Sequence, residues 1–331
     1  MKNIALCFDN FNPAGNATAF AGLLRRSAGQ LVWSPARVPR DVRGRARPLD
    51  AARRYVVAAY GFLADAWEPG DRLFIVGAGR DGVCARALAR LIGTVGILPA
   101  DQVSESLAEL GTYLVNTYAM PRSARDQRDW QRLRRLAAEL RGPDETSTTV
   151  RFLGLWDSRR IAGLPRGASA DFLWHVEAAR HALAIDARTA ALPLGPEALS
   201  HQDVWFRGAH GDITRSTHSC RALSDIALDW VLDGAIHAGA ELADPAGRQT
   251  PGPVDALAGS PHPVSPRRLP PDAAVHASVE CYLRAHPSYW RRLPAQVQWA
   301  DPDWVARGER LMASPMTIET PAAQPALVNT S

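Results

Sequence analysis

The fold class follows from one stretch of the chain, Arg72-Leu73-Phe74-Ile75-Val76-Gly77-Ala78-Gly79-Arg80-Asp81-Gly82. Residues 72–76 form a mostly apolar run and predict a buried strand. Residues 77–82 predict a glycine-rich turn, and the small and apolar residues at 83–92 predict a helix that packs closely on a sheet. A strand, a tight turn and a helix in this order are typical of α/β proteins with a parallel sheet.

The same alternation runs along most of the chain. Apolar runs predict further strands at 4–8, 150–156 and 203–207. Helical spacing of apolar residues predicts helices at 17–26, 50–67, 172–185, 221–238 and 275–284. We therefore predict an α/β fold with a mostly parallel central sheet and helices on both faces.

The length and composition predict one large domain. The chain has 331 residues, of which 46% are hydrophobic, and this suffices for one sizeable core. We predict a single domain over 1–311, with a helical insertion at about 122–145 and a long loop rich in Pro, Gly and Ala at 244–272. The small and polar residues at 312–331 predict a disordered tail.

Composition also disfavours several classes of protein. The net charge of +4 is small, and the arginines at 37–54 and 122–141 are mixed with acidic residues, so we predict no nucleic-acid partner. The four cysteines are far apart and form no CxxC pair, so we predict neither a metal site nor a disulfide framework. We also predict no cofactor. The apolar run at 4–8 is too short for a signal peptide, and no apolar stretch is long enough to span a membrane, so we expect neither. We expect a cytoplasmic protein unless a dedicated system exports it.

Three features lie directly after predicted strands: the turn at 77–82, Asp157 and His210. In open parallel sheets, ligands bind outside the carboxyl ends of the strands. The order of turn, acid and histidine along the chain is also that of the α/β-hydrolases, whose catalytic residues follow each other as Ser, Asp and His. Each residue alone has a structural interpretation, because Asp157 could cap a turn and His210 could hydrogen bond to it within the fold.

The turn lacks the nucleophile that this chemistry requires. In a Gly-x-Ser-x-Gly elbow the serine attacks the substrate, the histidine takes its proton, and the acid orients the histidine. Here Gly79 stands at the serine position and Asp81 at the position of the last glycine. Asp81 is more plausible as a cap of exposed N–H groups than as a nucleophile. Cys84 is expected to pack inward, and Ser158 to point away from His210.

Longer stretches resemble the bacterial type VI secretion phospholipase effector family. The matching blocks are AWEPGDRLFIVG at 66–77, ARALARLIGTVGIL at 85–98, VRFLGLWDS at 150–158, RHALAID at 180–186, VWFRGAHGD at 204–212 and LSDIALDW at 223–230. The resemblance implies an α/β-hydrolase fold. Active members hydrolyse phospholipid esters with a Ser-His-Asp triad, and some are secreted antibacterial effectors. Carried over, Asp157 matches the acid and His210 the base.

The chain departs from the family pattern around the site. The family has Asp-Gly-Thr after the first strand, where this chain has Asp9-Asn10-Phe11. The family's glycine-rich run after the histidine block is replaced by Ile213-Thr214-Arg215-Ser216. By the same resemblance, the residues expected to line the pocket are Asp9, Asn10, Gly77, Gly79, Arg80 and Asp81.

Two hypotheses follow. In the first, the protein is a non-catalytic or strongly impaired descendant that acts as a binding or scaffolding module for a lipid or acyl ligand, or for a protein partner. In the second, it is a divergent hydrolase of lipid or other acyl esters, in which His210 and Asp157 activate a water molecule.

Overall fold

One parallel sheet organises the molecule. The computed structural model describes residues 1–35, 48–98, 107–124, 126–141, 148–165, 173–194, 200–248, 250–260 and 267–306. Within them, the strands run in the order β2-β1-β3-β4-β5-β6-β7-β8, and every neighbouring pair is parallel. Their bounds are β1 Asn3–Phe8, β2 Gln30–Trp33, β3 Arg72–Ala78, β4 Val150–Trp156, β5 Ala179–Ala184, β6 His201–Phe206, β7 Ala273–His276 and β8 Val297–Ala300.

Helices cover both faces of this sheet. Their bounds are α1 Asn16–Leu23, α2 Pro48–Ala66, α3 Arg80–Val95, α4 Leu107–Leu114, α5 Gln127–Arg141, α6 His210–Thr214, α7 Arg221–His237, α8 Pro253–Leu257 and α9 Ala277–Ala285. A π-helical turn, Val115–Ala119, continues α4, and a 3₁₀ turn, Pro287–Arg292, follows α9. None of the helices in the described ranges is long and apolar enough to cross a bilayer.

The two faces bury separate apolar layers. Ile4 and Leu6 of β1 pack with α2, α3 and α5 on one face, whereas Ala5 and Cys7 pack with α1 and α7 on the other. This alternation is what a strand between two helical layers produces. The predicted α/β architecture, with a parallel sheet and helices on both faces, is therefore confirmed.

The prediction of a helix at 172–185 is wrong, because this region contains β5. The strand sequence Ala179-Arg180-His181-Ala182-Leu183-Ala184 is rich in residues that favour helices. It lies in the interior of the sheet, buried on both faces, where a strand needs no alternation of polar and apolar residues. The short strands β2, β7 and β8 were also not predicted, and the helix expected at 275–284 is β7 followed by α9.

Three predicted segments lie partly or wholly outside the described residues. The stretch predicted as a helical insertion contains α5, whose Trp130, Leu133 and Ala137 lie in the same apolar layer as α3. The stretch predicted as a long loop contains α8, and its residues 261–266 are not described. The tail predicted at 312–331 lies outside the described residues.

Candidate functional site

The turn after β3 forms a sharp elbow centred on Gly79. This residue has φ +59° and ψ −117°, a backbone conformation that residues with a side chain rarely adopt. Its N–H donates to the carbonyl of Trp156 at 2.8 Å, and its own carbonyl accepts from the N–H of Arg159 at 2.9 Å. The elbow is thus held against the end of β4 on both sides.

Two further glycines let the turn pack closely. A Cβ atom at Gly77 would lie 2.5 Å from the carbonyl oxygen of Asp81, and one at Gly82 would lie 2.5 Å from Oγ of Ser158. Such distances are shorter than any normal contact, so a side chain at either position would displace the backbone or its neighbours. The chain therefore keeps the local geometry of a strand–turn–helix elbow without a serine at its centre.

The histidine and the acid meet beside this elbow. Nδ1 of His210 lies 2.6 Å from Oδ2 of Asp157, which is fully buried at the end of β4. His210 begins α6, and its side chain remains 26% exposed. A Cβ atom at Gly79 would lie 3.3 Å from both Nε2 and Cε1 of His210. The structure thus brings together Gly79, Asp157 and His210, which follow β3, β4 and β6.

Sequence reasoning missed a second partner of the acid, Arg267. Its guanidinium forms a two-point ion pair with the Asp157 carboxylate, in which Nη2 lies 3.0 Å from Oδ2 and Nη1 contacts Oδ1. Arg267 is itself buried and also donates to the backbone carbonyl of Thr189. No local pattern marks this arginine, because it lies 110 residues from Asp157 in the sequence.

The surroundings of Asp157 keep it ionised. Burial on its own would raise the pKa of this carboxyl. The hydrogen bond with His210 and the charge of Arg267 outweigh burial and hold the pKa below its ordinary value. The N–H of Ala184 adds a further hydrogen bond to Oδ1 at 3.1 Å. Asp157 is thus a fixed anion that can orient His210 through Nδ1, leaving Nε2 on the side of Gly79.

Asp81 caps N–H groups, as predicted, but not those of its own helix. Its carboxylate accepts a hydrogen bond of 2.8 Å from the N–H of Phe11, in the loop between β1 and α1. The other carboxylate oxygen is buried without a hydrogen-bond partner. Burial raises the pKa of Asp81 to about 7, with the loop amides, Phe11 first, opposing this shift and the nearby charge of Asp9 adding to it.

Asp9, Asn10 and Arg80, the other residues predicted to line the pocket, lie in or near the loop between β1 and α1. Oδ2 of Asp9 accepts from the hydroxyl of Thr18 at 3.1 Å. Nδ2 of Asn10 is buried without a hydrogen-bond partner. Arg80 is exposed, and its guanidinium carbon lies 5.8 Å from the centre of the Phe11 ring.

Neither alternative nucleophile is accessible. Ser158 is completely buried, and its Oγ lies beneath Gly82. Its backbone N–H donates to Nε2 of His181 at 3.1 Å. Cys84 is also completely buried, as predicted, and burial raises the pKa of its thiol well above the ordinary value. Both residues therefore act within the core, below the surface that His210 faces.

A cavity of about 310 Å³ opens beside His210. Its lining residues are mostly polar or small: Arg159, Asp186, Ala187, Arg188, Thr189, Ala209, His210 and Gly211. Within the described part of the chain, no three His, Cys, Asp or Glu side chains cluster closely enough to hold a metal ion.

Comparison with known proteins identifies one family. The model of the family described as "T6SS, Phospholipase effector Tle1-like, catalytic domain" matches residues 49–234. This match contains Gly79, Asp157 and His210, whereas Asp9, Asn10 and Arg267 lie outside it. None of the curated proteins compared with the chain matches it.

Two solved structures are similar to the chain. One is the crystal structure of an uncharacterized protein from Pseudomonas aeruginosa, with 14% identity and a TM-score of 0.45, covering 74% of this chain and 47% of that one. The other is the Tle1 effector bound to the VgrG spike from the Type 6 secretion system, with 11% identity and a TM-score of 0.34, covering 65% and 50%. The chain therefore spans about half the length of these two proteins.

Proposed function

The chain belongs to the family of Tle1-like phospholipase effector catalytic domains of type VI secretion, and we propose that it binds a ligand at the family's hydrolase site without efficient hydrolysis. The single observation that carries this proposal is the elbow at Gly79. A nucleophilic side chain would begin there, 3.3 Å from Nε2 of His210, and the residue has no side chain.

The absence of a nucleophile should cause a large loss of catalytic rate. In subtilisin, removal of the nucleophilic serine lowers kcat on the order of a million-fold. The oxyanion hole and substrate binding alone retain roughly a thousand-fold acceleration over water. Ser158 and Cys84 are too deeply buried to replace the missing group. Triad catalysis should therefore fail even though Asp157 and His210 are in hydrogen-bond contact.

Asp81 supports the same proposal independently. In α/β-hydrolases the oxyanion hole takes one N–H from the residue after the nucleophile and one from a loop that follows a neighbouring strand. The loop between β1 and α1 is the corresponding loop here, because β1 pairs with β3. The carboxylate of Asp81 already accepts the N–H of Phe11 in that loop. It would also repel an oxyanion whenever it is ionised.

We propose that the ligand lies on the side of Gly79 that His210 faces, and that it is a lipid or acyl ligand or a segment of a partner protein. His210 presents a partly exposed imidazole edge to this side of Gly79. Asp157 hydrogen bonds to Nδ1 of the ring, and Arg267 pairs with Asp157. We further propose that the chain is made in the cytoplasm and that any export depends on a dedicated secretion system.

The retained pair of His210 and Asp157 favours one second candidate, a water-dependent ester hydrolase. Nε2 of His210 would take a proton from water, and the resulting hydroxide would attack the ester carbonyl. Collapse of the tetrahedral intermediate would break the bond to the alkoxy oxygen, which leaves as the alcohol with the proton from His210. The products are one carboxylic acid and one alcohol for each ester and water consumed.

Hydrolysis assays separate the two candidates. We would measure fluorogenic ester and phospholipid hydrolysis by the wild type, by His210→Ala and by His218→Ala, which removes an exposed histidine in the loop after α6. The proposal predicts that all three share the same background rate. A wild-type rate that His210→Ala abolishes and His218→Ala preserves would overturn it in favour of the water-dependent hydrolase.

A further inference from the structure

The elbow at Gly79 is closed to solvent. Gly79 is buried, and so is Thr214, whose Cγ2 would lie 3.9 Å from a Cβ atom at position 79. Neither of these residues lines the cavity beside His210. A ligand on the side of Gly79 that His210 faces therefore requires part of the surrounding structure to move aside.

Residues 10–14, termed the strap, lie in the loop between β1 and α1 and connect the two sides of the elbow. On one side, the N–H of Phe11 donates to Oδ2 of Asp81 at 2.8 Å, at the start of α3. On the other side, Nδ2 of Asn12 donates to the backbone carbonyl of Thr214 at 3.0 Å, at the end of α6. The strap thus bridges the two structural elements that flank the elbow.

The end of the strap next to α1 forms a tight turn. The N–H of Gly15 donates to the carbonyl of Asn12 at 2.8 Å, and the hydroxyl of Thr18 donates to the carbonyl of Pro13 at 3.0 Å. A Cβ atom at Gly15 would lie 2.6 Å from Nδ2 of Asn12. The turn therefore fixes the position of Asn12, and the glycine leaves room for its side-chain amide.

The residues that Asn12 contacts are anchored on their far side. Nη1 of Arg215, whose carbonyl also accepts from Asn12 at 3.3 Å, lies 2.8 Å from Oδ1 of Asp225 in α7. Nδ2 of Asn16 in α1 donates to the carbonyl of Ile213 at 2.8 Å. Because α1 and α7 both hold this segment, we expect the strap to be the part that moves.

The strap has features of a segment that can open. Its tip, residues 13–14, is exposed. Within the described residues, Nδ2 of Asn10 and Oδ1 of Asp81 are buried without hydrogen-bond partners when the strap is closed. A buried polar atom without a partner costs free energy, and opening the strap would let water reach both atoms. This gain offsets part of the hydrogen bonding that opening breaks.

We propose that the strap is an autoinhibitory closure of the site, which covers Gly79 and is held shut by the hydrogen bonds from Nδ2 of Asn12 until a ligand is admitted. This inference rests on the proposed binding function and adds its regulation. A hydrogen bond of this kind stabilises the closed state only modestly, so a ligand that binds the open state alone can shift the equilibrium towards it.

The test measures how easily a reagent reaches position 79 in the full-length protein. Gly79→Cys places a thiol there, and mass spectrometry follows its alkylation by iodoacetamide. The strap variants, each combined with Gly79→Cys, are Asn12→Ala and Asn12→Asp, which keeps the shape of the side chain but removes the donor. The control is Asn116→Ala, which removes an exposed amide from the π-helical turn.

Two further measurements separate local opening from unfolding. Cys84 is completely buried in α3, so its alkylation reports opening of the core in the same sample. Hydrogen exchange of residues 10–16 in the wild type, Asn12→Ala and Asn116→Ala repeats the comparison without the substitution at Gly79.

We expect the thiol of Gly79→Cys to react slowly, and roughly three- to tenfold faster when either substitution of Asn12 removes the hydrogen bonds. Asn116→Ala should change the rate by less than about twofold. Cys84 should remain unlabelled in every variant. Hydrogen exchange at residues 10–16 should become faster in Asn12→Ala and stay unchanged in Asn116→Ala.

Equal rates with and without the substitutions of Asn12 would overturn the strap, and so would a thiol in Gly79→Cys that already reacts as fast as glutathione. Parallel labelling of Cys84 would also overturn it, because Asn12 would then support the whole fold. Failure of the proposed function is distinguishable, because ester hydrolysis and its dependence on His210 decide it. Hydrolysis that depends on His210, together with faster alkylation in the strap variants, would overturn the proposed function and leave the strap in place.

Discussion

The carboxylate of Asp81 and the N–H of Phe11 form a hydrogen bond of 2.8 Å that joins the start of α3 to the loop between β1 and α1. A glycine at position 81, as in a Gly-x-Ser-x-Gly elbow, would leave that N–H without this acceptor. Compared with that pattern, the chain differs at two linked points: position 79 has no side chain, and a buried carboxylate at position 81 binds the neighbouring loop.

The free energy of unfolding should depend on pH because the carboxyl group of Asp81 titrates. Its pKa rises from 3.8 to about 7 on folding, so between these pH values the folded state keeps a proton that the unfolded chain releases. The contribution of Asp81 to the free energy of unfolding is therefore fully present below about pH 3.8, the pKa in the unfolded chain. It falls as the pH rises towards about 7, the pKa in the folded protein. We expect Asp81→Asn to remove this dependence.

Urea unfolding of the wild type and Asp81→Asn at several pH values measures the effect. From about pH 4 to pH 8 the wild type should lose stability relative to the variant by on the order of a few kcal/mol. The control is Asp65→Asn, which changes an exposed carboxylate on α2. A difference between wild type and Asp81→Asn that stays constant with pH would show that Asp81 does not titrate in this range.

The ion pair between Arg267 and Asp157 should be essential for stability. Arg267→Met would leave the fully buried Asp157 carboxylate without its guanidinium partner. Removal of one member of a buried pair typically costs about 3–5 kcal/mol. Chemical denaturation would measure this loss beside Arg268→Met, which changes the exposed neighbouring arginine. Equal, small effects of the two variants would contradict a structural role of Arg267.

Local patterns were sufficient to predict the elbow and the positions of Asp157 and His210. Each lies at the end of a strand whose apolar run is long enough to be recognised, and parallel strands bring their carboxyl ends to one edge. The same reasoning failed for β5, whose alanine-rich sequence does not distinguish an interior strand from a helix.

Long-range contacts could not be predicted in this way. Asp81 was expected to cap exposed N–H groups near the start of α3, but the N–H that it binds belongs to a residue 70 positions earlier in the chain. Arg267 lies in a stretch predicted only as a loop, and its partner depends on the path of that loop across the end of β5. Such pairings follow from tertiary structure and leave no periodic signal in the sequence.

The glycine at position 77 should tolerate no side chain. Gly77→Ala would place Cβ 2.5 Å from the carbonyl oxygen of Asp81, which is backbone and cannot rotate away. We expect a loss of roughly 1–3 kcal/mol or more from this overpacking. The matched control is Gly61→Ala in α2, where no atom lies within 4 Å of the new Cβ. That substitution should stabilise the protein by about 0.5–1 kcal/mol, because alanine favours a helix.

Thermal or urea unfolding of the two alanine variants checks this contrast. If Gly77→Ala were as stable as Gly61→Ala, β3 could not approach the first turn of α3 as closely as the structure shows. The elbow would then lack the tight geometry on which the position of Gly79 depends.

Restoring the nucleophile should restore only part of the activity. In Gly79→Ser the new Cβ lies 3.3 Å from Nε2 of His210, so small adjustments of the ring would bring the hydroxyl within reach of its base. Asp81 would still hold the N–H of Phe11 and oppose the negative charge of the tetrahedral intermediate. Loss of one oxyanion donor lowers kcat by about 10²–10³-fold in a serine protease. The double variant Gly79→Ser/Asp81→Gly should therefore exceed Gly79→Ser by roughly 10²-fold in ester hydrolysis.

Two control variants and one labelling experiment test the expected order of activities. Asp81→Gly alone should remain inactive, because it supplies no nucleophile, and His210→Ala in the double variant should abolish the gain. Covalent labelling by a fluorophosphonate would mark the new serine and report its activation separately from turnover. Equal rates for Gly79→Ser and the double variant would mean that Asp81 does not obstruct the oxyanion site, so that the impairment of this chain would rest on Gly79 alone.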